Sequence, residues 1–263
     1  MRLKITETMA EKTIRDRLYD TVDAAASLLY PITCPGCGVS LPSSRVPLPI
    51  CDDCGDGMSR IAPPYCRVCG QAYEGAMSAD FQCSNCSDRK LAFDFAIGGY
   101  AAEGLLRRLM HRYKYEQNIY LAQLLGRLLE STLTDKRIVG KDWILVPVPL
   151  HRRRFRNRGF NQAVELCRVL KKRSPERFQV KKAIRRVRHT PRQAGLDREQ
   201  RLSNLRGAFA LSRFGNVAET LAGKRILLVD DVLTTGATAS ECGRVLRNSA
   251  DIAEIGVITV LRG

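Results

Sequence analysis

Two adjacent carboxylates followed by small and hydroxylated residues stand near the end of the 263-residue sequence. Asp230 and Asp231 follow the apolar run 226–229, which is typical of a buried strand in a parallel sheet. A short run then leads into a helical pattern: Thr234, Thr235, Gly236, Ala237 and Thr238. Backbone N–H groups at the start of a helix bind phosphate, and carboxylates accept hydrogen bonds from sugar hydroxyls or coordinate Mg²⁺. The segment 226–238 therefore predicts a site for a ribose 5-phosphate that carries pyrophosphate.

Two other interpretations of this segment are weaker. A response-regulator receiver domain also begins with an apolar run and two aspartates, but it needs roughly a hundred residues after them. Only about thirty follow here. An ordinary strand–turn–helix gives no reason for two acids followed by three threonines around one glycine.

Eight of the ten cysteines form four Cys-x-x-Cys pairs that repeat with a period of 32 residues. The pairs are Cys34/Cys37, Cys51/Cys54, Cys66/Cys69 and Cys83/Cys86. Because two such pairs supply four thiolates to a tetrahedral Zn²⁺, the pattern predicts two structural zinc sites in tandem zinc ribbons. Disulfides are disfavoured by the missing secretion signal, and a redox site needs one pair in a βαβ context. The period favours sequential over interleaved pairing of the ligands, and both arrangements stay open.

The net charge of +16 is concentrated in residues 151–206, which hold 19 basic and 4 acidic residues. Three of the basic residues closely follow the predicted strand 143–149: Arg152, Arg153 and Arg154. Ligands of open α/β sheets bind at the carboxyl ends of strands, so these arginines are expected to face the same crevice as the two aspartates. Basic runs usually form a solvated surface, but this density indicates a polyanionic partner.

Apolar periodicity predicts the elements that position these groups. Strands are predicted at 91–100, 143–149, 178–184, 207–211, 226–229 and 255–261, and helices at 103–115, 120–133 and 161–172. Lys114 ends the first of these helices, where a surface position is favoured. Residues 185–206 contain few apolar side chains and are predicted to form a flexible lid, because such long loops are uncommon unless they have a function.

Three segments are predicted along the chain. Residues 1–30 form a lead-in with a short helix, residues 31–90 the double zinc ribbon, and residues 91–263 the α/β domain. Charges interrupt the N-terminal residues, so no signal peptide is predicted. No window of 18 apolar residues could form a membrane span, and a cytoplasmic location is expected.

Several motifs together resemble the ComF-type (ComFC/GntX) family of competence proteins. They are the Cys-x-x-Cys pairs, residues 146–149, residues 158–162, segment 188–209 and segment 226–238. The resemblance runs from about Leu28 to the end of the sequence. It implies an α/β fold of the type I phosphoribosyltransferase kind, with a doubly wound, mainly parallel sheet preceded by a small tandem zinc-ribbon module.

The resemblance also implies ligands and a function. It implies binding of Mg²⁺ and 5-phosphoribosyl-1-pyrophosphate (PRPP), zinc in the N-terminal module, and a role with single-stranded DNA in natural transformation. Asp230 and Asp231 would contact the ribose diol, residues 234–238 would bind the 5-phosphate, and the loop 149–154 would face the pyrophosphate. Other cytoplasmic DNA-uptake or recombination proteins are expected as further partners.

Three functions stay open at this point. The first is phosphoribosyl transfer from PRPP, with Asp230 and Asp231 as catalytic residues that stabilise a cationic sugar. The second is a binding module in which single-stranded DNA follows the basic region and PRPP is a regulatory ligand. The third is a metabolic phosphoribosyltransferase that acts on a small nitrogen nucleophile and has no DNA role. Nineteen basic residues exceed what one small ligand requires, which favours nucleic acid.

Overall fold

The computed structural model describes residues 32–41, 48–73, 75, 81–87, 89–190 and 204–263. The predicted lead-in and short helix, and residues 191–203 of the predicted lid, lie outside the described residues. Two compact units form, Met1–Cys54 and Gly55–Gly263, so the second Cys-x-x-Cys repeat belongs to the same unit as the α/β domain. Within the part of the chain that is described, no helix is long and apolar enough to cross a membrane.

Seven strands and eight α-helices are present in the described residues. The strands are β1 (Phe95–Ala101), β2 (Trp143–Pro147), β3 (Phe178–Val180), β4 (Ile184–Arg186), β5 (Phe209–Leu211), β6 (Arg225–Leu233) and β7 (Glu254–Arg262). The helices are α1 (Asp52–Asp56), α2 (Ser84–Ser87), α3 (Gly104–Tyr115), α4 (Leu121–Glu130), α5 (Arg152–Arg158), α6 (Gln162–Arg173), α7 (Val217–Leu221) and α8 (Ala237–Ser249). A 3₁₀ helix at Ser131–Thr134 continues α4.

Five strands form one parallel sheet in the order β1-β7-β6-β2-β3. Because side chains alternate along a strand, Ile226 and Leu228 of β6 belong to the core cluster that contains Cys242 and Leu246 of α8. The fully buried Leu227 lies outside that cluster and faces the other side of the sheet, where α4 and α6 contact β6 and β7. Helices therefore cover both faces, and the predicted doubly wound α/β fold is confirmed.

One predicted strand and the start of the predicted lid are wrong in their bounds. The predicted strand 178–184 is two strands, because the exposed Lys181 and Lys182 separate β3 in the parallel sheet from β4. β4 pairs antiparallel with β5, so Arg185 and Arg186 belong to a strand and not to a lid.

The strand before the aspartates is longer than predicted. β6 continues through Asp230 and Asp231 to Leu233, because β7 pairs with it over this length: Asp230 lies opposite Thr259 and Leu233 opposite Arg262. The carboxylates therefore project from a hydrogen-bonded strand, three and two residues before its end.

The outer edge of β1 is covered by the chain that leads into the second cysteine repeat. Ala96 N–H donates to the carbonyl of Val68 at 2.7 Å, and Ala101 N–H donates to the carbonyl of Ser59 at 2.9 Å. Edge strands expose unpaired backbone groups, and this segment satisfies part of them. The second repeat is thereby joined to the sheet by backbone hydrogen bonds.

Candidate functional site

The eight paired cysteines form two clusters with sequential pairing, as the repeat favours. The clusters are Cys34, Cys37, Cys51 and Cys54, and Cys66, Cys69, Cys83 and Cys86, and the ligand atoms in each lie within 4.8 Å of one another. In the second cluster the Sγ atoms of Cys69 and Cys83 are 3.6 Å apart. A tetrahedral zinc ion with bonds of about 2.3 Å separates its sulfurs by about 3.8 Å. The described cysteines are all free of disulfides, and both clusters fit a zinc site with four cysteine ligands.

Backbone hydrogen bonds prepare the second cluster for a metal. Burial raises the pKa of the Cys66 thiol, but backbone N–H donors, that of Cys83 foremost, outweigh it and lower the pKa to about 7. The N–H of Cys83 lies 3.4 Å from the Cys66 sulfur. The thiolate is the form that binds metal, so the Cys66 ligand is prepared near neutral pH. Burial and the negative charge of Cys69 raise the pKa of the Cys83 and Cys86 thiols, and a bound metal ion would offset that cost.

A cavity of about 570 Å³ opens beyond the carboxyl ends of β2 and β6. It collects charged side chains from distant parts of the sequence: Lys114, Arg154, Arg158, Arg186, Asp230 and Asp231. Thr234 and Thr238 also line it. This cavity, called the crevice below, lies where open α/β sheets bind ligands.

The aspartate pair stands on β6 inside the crevice. Asp231 is buried, and its Oδ1 lies 2.8 Å from Nζ of Lys114. Asp230 Oδ1 accepts a hydrogen bond from the N–H of Asp231 at 2.9 Å. Burial and the negative charge of Asp231 raise the pKa of Asp230 to about 7. A pair of neighbouring carboxyl groups, one of which stays partly protonated near pH 7, is a common feature of functional sites.

The surface position predicted for Lys114 is wrong. Its side chain is only 19% exposed and contacts Asp231 because the preceding Tyr113 is anchored. The Tyr113 hydroxyl donates to the carbonyl of Gln162 at 3.1 Å, and its ring lies 5.1 Å from that of Phe160. The sequence carried one signal, since Lys114 comes four residues after the buried Met110 and shares its helix face.

The turn after β6 is shaped by Gly236. This residue has φ of 73°, in the left-handed region, and a Cβ on it would lie 3.3 Å from the Phe93 ring. The next residue starts α8, and the Thr235 hydroxyl oxygen lies 3.4 Å from the Ala237 N–H. Thr234 and Thr238 reach the crevice, whereas the side chains between them are not among those that line it.

The three predicted arginines do not act as a set. The predicted loop 149–154 is wrong in its second half, because α5 begins at Arg152 and is capped by His151, whose Nδ1 accepts from the Arg153 N–H at 3.2 Å. Helical spacing then turns Arg154 towards the crevice and leaves Arg152 and Arg153 exposed.

Arg186 is a crevice residue that sequence reasoning missed. It comes from β4, donates to the Thr190 hydroxyl, and has a buried Nε atom without a partner among the described residues. Burial and the positive charge of Arg154 lower its pKa to about 10. The buried Nε2 of Gln162, another lining residue, also lacks a partner within the described ranges. Buried donors of this kind require an acceptor beyond the described residues.

Comparison with known proteins identifies the family. Competence protein F of Haemophilus influenzae is 32% identical over 188 residues, which cover 70% of this chain and 79% of the relative. The chain belongs to the ComF family of competence proteins. Other ComF relatives are DNA utilization protein YhgH of Escherichia coli K12, 30% identical over 78% of this chain and 88% of its own length, and ComFC of Bacillus subtilis, 24% identical over 81% and 84%.

Two further matches concern the two parts of the ComF chain. A family model described as a double zinc ribbon domain matches residues 25–87 and agrees with the two four-cysteine clusters. A hypoxanthine phosphoribosyltransferase from Staphylococcus aureus is 15% identical, with a TM-score of 0.31 over 57% of this chain and 65% of that enzyme. The match thus spans just under two thirds of that enzyme. The parallel sheet with both faces covered and the two four-cysteine clusters show an α/β domain preceded in the sequence by a double zinc ribbon.

Proposed function

We propose that this ComF-family protein binds Mg²⁺–PRPP in the crevice, binds single-stranded DNA on an exposed basic surface beside it, and handles DNA during uptake. The names of its relatives, competence protein and DNA utilization protein, support the role in DNA uptake. One observation supports the proposal that the crevice binds PRPP. A single cavity is lined by an aspartate pair, by neighbouring guanidinium groups and by the start of a helix. These are the groups that recognise a sugar diol, a pyrophosphate and a phosphate.

The ribose of PRPP would lie against β6. Its two hydroxyls would donate to Asp230 and Asp231, and Lys114 holds Asp231 in position through the 2.8 Å ion pair. A positive charge that develops on the sugar would be stabilised by the same two carboxylates. Asp230 and Asp231 are therefore the proposed catalytic residues if PRPP is turned over.

The 5-phosphate would lie at the start of α8, a helix of 13 residues. The first N–H groups of a helix have no partner within the helix and bind anions. Thr234 and Thr238 would add hydroxyl donors from the crevice wall, and Thr235, Gly236 and Ala237 would contribute backbone N–H groups. The absent side chain of Gly236 leaves the backbone open to the ligand.

The pyrophosphate would lie between Arg154 and Arg186. Their like charges repel, and this repulsion helps to lower the pKa of Arg186. An anion between two guanidinium groups replaces that repulsion with charge-assisted hydrogen bonds. Mg²⁺, when bound with PRPP, would neutralise part of the pyrophosphate charge.

Single-stranded DNA would follow the outer face of α5, defined as Arg152, Arg153, Phe155 and Arg156. All four residues are exposed, and the Phe155 side chain is 48% exposed. Basic side chains beside an aromatic ring form the usual surface for sequence-independent binding of single strands. Phe160, the second aromatic residue of this region, is buried and takes no part in the surface.

A second exposed aromatic ring lines the crevice. Tyr115 is 47% exposed and lines the crevice, and the Arg158 guanidinium lies 5.0 Å from the centre of its ring. The His111 ring lies 4.7 Å away on α3. A nucleobase stacked on Tyr115 would lie close to the proposed sugar site.

Transfer, if it occurs, breaks the bond between C1 and the pyrophosphate oxygen, and pyrophosphate leaves with the electron pair. A bond forms from C1 to an acceptor nitrogen, whose proton passes to solvent.

The test of the crevice is calorimetric titration of the zinc-loaded full chain with Mg²⁺–PRPP. We expect saturable binding that the double change Asp230→Asn/Asp231→Asn weakens at least about tenfold, because charged hydrogen bonds to the ribose are lost. Asp251→Asn makes the same chemical change at an exposed position outside the crevice and should bind like the unchanged protein. Equal affinity for all three proteins would overturn the PRPP site.

The same preparation distinguishes the DNA role from the metabolic alternative. Single-stranded DNA binding, followed by fluorescence anisotropy of a labelled oligothymidylate, should weaken steeply with salt. The metabolic alternative predicts a different result. The protein would bind PRPP, would not bind the labelled oligothymidylate, and would release pyrophosphate when small nitrogen nucleophiles are added. Release of pyrophosphate only with single-stranded DNA would make the strand itself the acceptor.

A further inference from the structure

Arg262, the last residue of β7, is buried although it is charged. It is 5% exposed and lies opposite Leu233, directly before the Thr234–Thr238 turn. A Cβ on Gly98 of β1 would lie 2.6 Å from the Cβ of Arg262, so a glycine is needed there to make room for the arginine. Arginine is rarely buried unless its donors are satisfied, and the partners of this side chain therefore indicate its role.

One side of the Arg262 guanidinium holds the second cysteine cluster. Nε donates to the carbonyl of Cys69 at 2.9 Å, and Nη2 donates to the Sγ of the same residue at 3.3 Å. Cys69 is one of the four ligands of the second zinc site. A hydrogen bond from a cation to a thiolate is charge-assisted and orients the ligand from outside the metal's own coordination sphere.

The other side of the same guanidinium holds the start of the turn. Nη1 donates to the carbonyls of Thr234 at 2.7 Å and Leu233 at 3.1 Å, and also to that of Gly263. Only a planar fork with several fixed donors can span both sets of acceptors, which a lysine cannot imitate. One side chain therefore joins a zinc ligand to the peptide groups that enter the proposed phosphate site.

A second link runs in parallel from the same ribbon. Arg89, three residues after the ligand Cys86, donates from Nη1 to the carbonyl of Thr235 at 3.1 Å. Leu233, Thr234 and Thr235 thus accept hydrogen bonds from two arginines. Of these, Arg262 contacts Cys69, and Arg89 donates its N–H to the carbonyl of Cys86 at 3.3 Å. Zinc fixes both the position and the charge of the Cys69 sulfur, and without it neither is enforced.

We propose that Arg262 is a positioning residue through which zinc in the second four-cysteine site holds the Thr234–Thr238 turn in its anion-binding conformation. Zinc in this site then supports ligand binding in the crevice and is more than a local brace of the ribbon. The ligand itself rests on the proposed function, whereas the mechanical link between zinc site and turn does not.

Hydrogen exchange of the full-length, zinc-loaded protein measures the link without any ligand. We expect Arg262→Lys to retain two zinc ions per chain and to speed amide exchange in segment 233–239 by about tenfold, since several hydrogen bonds are lost. Segment 143–147, in the middle of the sheet, is the internal reference and should exchange as before. Mg²⁺–PRPP affinity, measured by calorimetry, should fall by about tenfold as well.

A variant that leaves Arg262 intact separates the zinc effect from misfolding of the arginine variant. Cys83→Ser removes one ligand of the second cluster and weakens zinc binding there. We expect fast exchange of the turn that slows again when excess Zn²⁺ reloads the remaining three ligands, with the zinc content measured on the same sample. Cys37→Ser changes an exposed ligand of the first cluster and should leave exchange of the turn unaltered. The proposal would be overturned if exchange of the turn stays equally fast in Cys83→Ser with and without zinc measured in the second site, or if it is unchanged in Arg262→Lys. Failure of the unchanged protein to bind Mg²⁺–PRPP would overturn the proposed function but not this link.

Discussion

The two faces of helix α5 carry the same kind of side chain in two different environments. Arg154 and Arg158 are half-buried, line the crevice, and donate to Thr190 and Gln162 at 3.2 and 3.0 Å. The outer face, Arg152, Arg153, Phe155 and Arg156, is exposed. A seven-residue helix thus presents one set of charges to the crevice and another to solvent.

This difference explains how one basic segment could serve two polyanions. A buried guanidinium in a fixed position suits a small, highly charged ligand, because the hydrogen bonds are directional and weakly screened. Exposed arginines on a helix surface suit a flexible strand, because that binding depends on counterion release and not on geometry. The proposed functions therefore predict that changes on the two faces have separable effects.

The largest expected effect is loss of PRPP binding in Arg154→Ala. Removal of a half-buried guanidinium from the pyrophosphate site should weaken Mg²⁺–PRPP binding by about 30-fold, as expected for charged hydrogen bonds. Affinity for single-stranded DNA should change by less than about twofold. Calorimetry and anisotropy on one preparation measure both, and Arg153→Ala on the outer face is the matched control. If Arg153→Ala weakens PRPP binding as much as Arg154→Ala, the two faces do not differ.

Neutralisation of the outer face should give the reverse result. Replacement of Arg152, Arg153 and Arg156 by Gln should weaken single-stranded DNA binding by about tenfold and reduce the slope of log K against log salt by about 2, since each lost phosphate contact removes about 0.7. Mg²⁺–PRPP affinity should stay unchanged. An unaltered salt slope would place the strand elsewhere on the protein.

Phe155→Ala should have a smaller effect than the triple change. Loss of one stacking ring reduces affinity for single-stranded DNA by about fivefold and leaves the salt slope unaltered, because stacking does not release counterions. The control is Phe155→Tyr, which keeps a ring and should restore affinity. A changed slope in Phe155→Ala would indicate that the arginines had moved, and not that stacking was lost.

The smallest expected effect concerns the stability of the crevice. The raised pKa of Asp230, about 7, means that the folded state holds a proton that the unfolded state releases above about pH 4. Stability from this group is thus fully present below pH 4 and is lost as the pH rises through about 7. Asp230→Asn should therefore raise Tm by about 2–4 °C at pH 8 and leave it unchanged at pH 4, as calorimetric scans would measure. Arg153→Ala, on the outer face, should show no such pH-dependent difference.

Much of this protein could be predicted from short stretches of sequence. The strand, turn and helix around segment 226–238 could be predicted because the apolar run, the two acids and the small residues are adjacent in the chain. The cysteine period predicted both four-cysteine clusters, and sequential pairing followed from the repeat of 32 residues. The helix predicted at 161–172 begins beside Asn161, whose Oδ1 accepts from the Ala163 N–H at 3.0 Å. These features depend on spacing within a few residues or on a regular period, and both are visible in a sequence.

Local patterns could not show which distant residues meet. Lys114 lies opposite Asp231 only because the anchored Tyr113 fixes the end of α3, and Arg186 reaches the crevice only through the pairing of β4 with β5. The orientation of α5 depended on where its first turn was capped, since a shift of one residue rotates each side chain by about 100°. Arg262 and Cys69 are 193 residues apart in sequence and 2.9 Å apart in space. The sequence alone predicted most of the elements, both four-cysteine clusters and the family, whereas packing of the elements selected which charges face the crevice, because burial and pairing depend on the whole fold.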